Sequence, residues 1–239
     1  MIPIRSTIKT EIIPYVNYTL LAVNIAIFAY TLSLTGESLE MFYQTHGIVP
    51  SKITALDTYG FFDRTAKYFS SMFIHENWVH IAGNLIFLYI FGNGIEDLLG
   101  HTRYLLFYLV CGLAAVFIQV ILNSHSAIPA IGASGAISGV LGAYMLFFPR
   151  SKILTLLIVL VFVHFVRISA YLFIIFWFAV QFLTGIGYIG DAGTEGLWAH
   201  LGGFACGAIA GSGFLYTRGY RSKKYKAGYG TGWYRKDGE

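Results

Sequence analysis

"ILTLLIVLVFVHFV", residues 153–166, decides how this chain is folded. It is apolar enough to be a membrane helix, but a bilayer core of about 30 Å asks for about 20 helical residues. The stretch is shorter than that, rich in β-branched residues and followed at once by Arg167. Six other apolar stretches do reach spanning length, at roughly 15–34, 77–98, 103–122, 132–149, 169–186 and 196–216. Arg5 and Lys9 precede the first; Arg218, Arg221, Lys223, Lys224, Lys226, Arg235 and Lys236 follow the last. Lys and Arg collect on the cytosolic side of membrane proteins, so both ends belong there and the number of crossings is even. Six spans satisfy this, with 153–166 shallow or extended on the cytosolic side. Arg103, Arg150 and Lys152 then fall on the inner side, and the outer loops 123–131 and 187–195 carry no Lys or Arg. Only the long loop 35–76 places basic residues outside (Lys52, Arg64, Lys67), and long loops translocate largely regardless of charge.

Composition agrees. The 239 residues are 56% hydrophobic and 12% charged, against about 25% charged in a soluble domain. A soluble globular class is therefore excluded. The expected fold is an all-α membrane bundle of six helices over 15–216, after a cytosolic N-terminal segment, 1–14, and before a basic tail, 217–239. The first apolar run is too long for a signal-peptide core and reads as a retained span. The Gly- and Tyr-rich tail cannot bury a core and is expected to lack fixed structure beside the cytosolic membrane surface. Cys111 and Cys206 lie inside apolar runs, read as small buried hydrophobes, and supply neither a disulfide framework nor a metal site. Neither cofactor nor nucleic-acid partner is expected, and oligomeric state is not readable.

In this topology the second, fourth and sixth spans all begin on the outer side. His80 lies just inside the second, Ser134 opens the fourth in "IGASGAISG", and His200 begins the sixth in "LWAHLGGFACG". Three polar residues on three helices thus share one depth, and ionisable groups inside a membrane turn towards the protein interior. "HENWVH" at 75–80 has the look of a zinc-protease helix, but such a helix needs its histidines at i and i+4. Here they are at i and i+5, roughly 140° apart at about 100° per residue if both are helical. His80 and Asn84, at i and i+4, share a face instead. Both can offer N–H donors to a developing oxyanion. Ser134, between Gly132 and Gly135 at a helix start, sits where free N–H groups favour negative charge. A serine nucleophile needs a base within reach, and His200 is the other histidine at that level. Gly203, Gly207 and Gly211 on one helix, and Gly135, Gly139 and Ala143 on the other, form small faces that let helices approach closely. Taken singly, each feature has a plainer reading: an intramembrane serine as a helix–helix hydrogen-bonding group, a glycine stripe as packing alone.

These motifs resemble the rhomboid family of intramembrane serine proteases, over roughly residues 15–216. "GASG" at 132–135 is similar to the family's nucleophile motif, "AHLGGFACG" at 199–207 to its last-helix pattern, and "HENWVHIAGN" at 75–84 to its second-helix motif. The resemblance implies Ser134 as nucleophile and His200 as general base. It implies an oxyanion hole of His80, Asn84 and the backbone N–H groups of Ser134 and Ala133, with His75 structural nearby. No acid completes a triad. Substrates would be transmembrane segments of other proteins, approached through lipid, in the plasma membrane of a prokaryote. The fifth helix with the glycine-rich loop 187–195 would be the mobile element. Two positions depart from the family: Ala66–Lys67 stands where many relatives have Trp-Arg, and Ser138 where an aromatic residue often stacks on the catalytic histidine. The rival readings are an inactive rhomboid-like protein that binds membrane helices, and a transporter or channel using buried polar residues.

Overall fold

An α-helix covers most of each of the six stretches read as spans. The computed structural model describes residues 1–54, 59–159, 162–187, 196–218, 221–224 and 231–234. Helix α1 runs Tyr15–Thr31. Short helices α2 (Glu37–His46), α3 (Pro50–Thr54) and α4 (Phe61–Ser70) build the loop that follows. The second apolar segment is one helix in three parts: α5 (Trp78–Phe87), a π-helical turn (Leu88–Gly92) and α6 (Asn93–Leu99). Then come α7 (His101–Leu122), α8 (Ser134–Phe147), α9 (Ala170–Gly185) and α10 (Leu197–Arg218). Trp78–Leu99 and His101–Leu122 are long and apolar enough to cross a bilayer by length and composition, while α1, α8 and α9 are shorter apolar helices.

The deciding stretch is no helix; it is extended, one of the two forms expected for it. Strand β2 (Lys152–Val159) turns back as β3 (Phe162–Ser169), and β1 (Ile2–Ser6) pairs antiparallel with β2, Ile2 opposite Leu156. The fold is predominantly helical, as expected, and a three-stranded sheet, ordered β1-β2-β3, is added to the bundle. The reason is local. A β-branched run suits a pleated strand better than a helix, and β1 satisfies backbone groups that would otherwise stand bare. Pro3 and Ile4 line a groove with Leu21, Ile25, Leu85 and Ile86. Ile25 is about 15 Å along α1 from its start at 1.5 Å per residue, so the sheet runs beside the helices instead of across their ends. A second departure lies in the basic tail, where β4 (Arg221–Lys224) pairs with β5 (Thr231–Tyr234).

Polar anchors hold the helices in register. A π-turn breaks the regular backbone ladder, and here Asn17 Nδ2 donates to the Leu88 carbonyl at 3.0 Å, while Tyr104 Oη donates to Asn17 Oδ1 at 2.7 Å. Gly92 makes room for them: a Cβ there would lie 2.6 Å from Tyr104 Oη. Fully buried Glu96 accepts from the Val16 and Asn17 N–H groups at 2.9 and 2.7 Å, capping the start of α1, and pairs with His101 Nδ1 at 2.5 Å. The Lys67 departure also finds its explanation. Its ammonium donates to the Gln44 and Thr45 carbonyls and sits 4.6 Å from the centre of the Tyr59 ring, so it ties down the last turn of α2. Burial lowers its pKa from the ordinary 10.5.

Small residues govern the centre. A Cβ on Gly203 would strike the Gly135 carbonyl, and one on Gly207 the Gly139 carbonyl, so α8 and α10 touch backbone to backbone. A Cβ on Gly135 would come within 2.5 Å of Ala115 on α7. Cys111 is buried and Cys206 half-buried, and both are free.

Candidate active site

Ser134 is the first residue of α8, two residues later than the span expected at 132. The turn before it explains the start. Gly132 has φ 124°, a conformation glycine adopts without strain, and its N–H donates to the Ser71 carbonyl at 2.8 Å. Ala133, the cap, has no side chain able to bond the first-turn N–H groups. Those donors are the usual orphans of a helix start.

His80 approaches from α5. Asn77 caps that helix, its Oδ1 accepting from the His80 N–H at 2.9 Å. A Cβ placed on Gly132 would lie 2.7 Å from His80 Nε2 and 3.7 Å from Ser134 Oγ, so both side chains border one small space that only glycine leaves open. His200 enters from α10, whose start is fixed by an unforeseen residue. Gln119 on α7, nearly fully buried, accepts from the Ala199 N–H through Oε1 at 3.2 Å. The signal for Gln119 was a lone polar residue in "AAVFIQVIL".

One cavity of about 600 Å³ joins these groups, lined among others by His80, Gln119, Gly132, Ser134, Gly135 and His200. Glu40, Tyr43 and Glu76 stand in its wall as well. Burial, with Glu76 and Glu40 adding negative charge, raises the Tyr43 phenol above its ordinary pKa. Ser134 and His200 share the cavity without a hydrogen bond between their side chains, a looseness common in unliganded catalytic sites. Asn84 is not among the lining residues. It is buried one turn below His80, and its Nδ2 has no hydrogen-bond partner. A donor left unpaired in a dry interior carries a desolvation penalty, which an incoming acceptor would relieve. The Nδ1 of His200 is likewise buried without a partner.

His75 corrects the angular argument made from sequence. It lies in the turn before α5, outside the helix, and its ring meets His80 edge to face with centroids 5.0 Å apart. The two imidazoles therefore do face each other, though no group of three metal-binding side chains occurs among the described residues. Burial, followed by the nearby His80, pushes the His75 imidazole down to about 4. Ser138 is fully buried, and its hydroxyl donates to the Ser134 carbonyl at 2.7 Å, so it is turned to its own helix. The loop 188–195, with Asp191, Glu195, Gly190 and Gly193, lies outside the described residues.

Chemically, the arrangement offers a hydroxyl at a helix start, an imidazole in the same space, and N–H donors from a second helix. A sequence model described as the Rhomboid domain matches residues 63–217, more than half of the chain. Among similar proteins, the chain is 27% identical over 206 residues to Rhomboid protein 1, mitochondrial, of Saccharomyces cerevisiae, covering 81% of this chain and 51% of that one. It is 34% identical over 100 residues to Rhomboid-like protein 11, chloroplastic, of Arabidopsis thaliana, covering 42% of this chain and 34% of that one. To Rhomboid protease GluP of Bacillus subtilis it is 35% identical over 72 residues, 30% of this chain and 14% of that one. The alignments thus take in about half or less of each relative's length.

Proposed function

Since the chain belongs to the rhomboid family, and is with it an integral membrane protein, we propose that it is an intramembrane serine endopeptidase. The observation that carries this reading is the single cavity bordered by Ser134, His200 and His80, with an unpaired Asn84 amide beneath. The bundle crosses the membrane six times, in the plasma membrane of a prokaryote, with both termini in the cytosol. The Lys and Arg at the two ends support that orientation.

The substrate is the membrane segment of another protein, reached through lipid. Its helix must open locally, because a formed helix hides its carbonyls from attack. The Ser134 Oγ–H proton passes to His200 as Oγ bonds the substrate carbonyl carbon, and the carbonyl π pair moves onto oxygen. That oxyanion meets the Ser134 and Ala133 N–H groups, His80 Nε2–H and Asn84 Nδ2–H. Collapse breaks the C–N bond, with the proton moving from His200 to the leaving amine. Water entering from the outer side then releases the acyl chain. A dyad suffices here: no carboxylate approaches His200 Nδ1 among the described residues.

The test is cleavage of a single-span substrate by purified protein in detergent. Wild type should cut, while Ser134→Ala and His200→Ala should lose at least about a thousandfold in rate, in line with removal of members of a catalytic unit. A folded wild type that binds the substrate and never cuts it supports an inactive membrane-helix binder instead.

A further inference from the structure

Two carboxylates stand in the wall of the cavity that holds Ser134 and His200, and the chemistry described above uses neither. Glu40 lies on α2, in the loop after α1, and Glu76 in the turn that leads into α5; both are exposed. Tyr43 stands beside both. It follows Glu40 by one helical turn, and its hydroxyl donates to the Glu76 carbonyl at 3.5 Å. Burial first, then Glu76 and Glu40, raise the pKa of its phenol, which places both charges close to that ring. The nearby cations are engaged elsewhere. Glu40 Oε1 accepts from Gln44 Nε2 at 3.0 Å, and Lys52 donates to Gln44 Oε1 at 2.9 Å, so the lysine reaches Glu40 only through an amide. Lys67 is held by the Gln44 and Thr45 carbonyls. Among the described residues neither glutamate takes part in an ion pair. The same cavity is open to a polar guest at its other side, where His200 carries a buried, unpartnered Nδ1.

We propose that Glu40 and Glu76 are specificity-determining residues, which select membrane segments carrying an arginine or lysine close to the cut bond on its outer side. This rests on the proteolytic reading above and names the substrate class of the same site. A cleft lined by one sign of charge concentrates the opposite charge within it. A guanidinium has five donors to share between two carboxylates, and the Tyr43 ring adds an attractive face for a cation. In the orientation proposed above, both glutamates lie outward of Ser134. The cavity of about 600 Å³ is about 10 Å across if round, a distance that an extended chain covers in about three residues. The cation therefore belongs within about three residues of the bond that Ser134 attacks.

The experiment uses the full chain in neutral detergent and one single-span substrate, with Arg, Gln or Glu placed in turn at each of those positions. At the best position wild type should prefer Arg to Gln by at least about fivefold in kcat/KM, the upper range for a solvent-reachable ion pair, with Glu poorest. Higher ionic strength should shrink that ratio. In the double variant Glu40→Gln, Glu76→Gln the ratio should fall below about twofold, and Glu40→Lys with Glu76→Lys should invert it in favour of Glu. A second arm needs no activity: Ser134→Ala should bind the Arg peptide at least about fivefold more tightly than the Gln peptide, by fluorescence anisotropy. If wild type cuts none of the substrates, the proteolytic reading fails, and the binding arm alone judges the acidic wall. Equal cleavage of Arg and Gln substrates at every position, equal binding of the two peptides, or a preference that survives the double Gln variant would each overturn the proposal.

Discussion

Asn84 is the residue whose environment makes the sharpest demand. It is buried with an N–H donor that bonds nothing, one helical turn from His80, and its carboxamide should matter only when an oxyanion forms. Asn84→Ala should therefore lower kcat by about 10²–10³ with little change in KM, as loss of one oxyanion donor does elsewhere; steady-state kinetics on the single-span substrate checks it. His75 makes a different demand. Its folded pKa of about 4 lies below the ordinary 6.5, so between those values the unfolded chain binds a proton that the folded chain refuses. Stability is complete above about 6.5 and declines as pH falls towards about 4. Thermal melts at pH 7 and pH 4.5 should show that decline, and His75→Gln should shrink it. The His80–Asn84 pairing was legible in the sequence because i and i+4 always share a helix face. The meeting of His75 with His80 was not, since the angular estimate assumed a helix that begins only at Trp78.

At the scale of elements, the glycine faces do what their spacing suggested. Gly203 and Gly207 sit on backbone carbonyls of α8, which cannot swing aside as a flexible side chain would. Gly207→Ala should cost about 1–3 kcal/mol or more through overpacking, read as a lower melting temperature. In Gly213→Ala the added methyl would meet nothing within 4 Å, so melting should not fall. The rotation of α9 was invisible at this level, because an almost uniformly apolar helix such as "AYLFIIFWFAVQFLTG" gives no face to orient by. Lys67 was seen only as a departure from a pattern. Its purpose follows from the carbonyls of α2, which a linear reading cannot bring beside it.

Across the whole molecule, the apolar runs announced their helices to within a few residues because bilayer thickness sets their length. The extended form of 153–166 was among the expectations, but its pairing into a sheet was not. "IPIRS" at 2–6 is too short and too polar to declare itself a strand, and its partner at 153–156 is remote in sequence. Removing residues 1–6 should bare one edge of β2, lower the melting temperature and expose the 152–169 hairpin to limited proteolysis. The same architecture gathers α5, α8 and α10 at one cavity, and the central claim is that Ser134 there is an activated nucleophile. Reaction of purified protein with a fluorophosphonate, followed by peptide mass mapping, tests this most directly. Wild type should carry one adduct on Ser134, absent in both Ser134→Ala and His200→Ala. An adduct that survives Ser134→Ala, or a folded wild type that stays unmodified at saturating reagent, would contradict it.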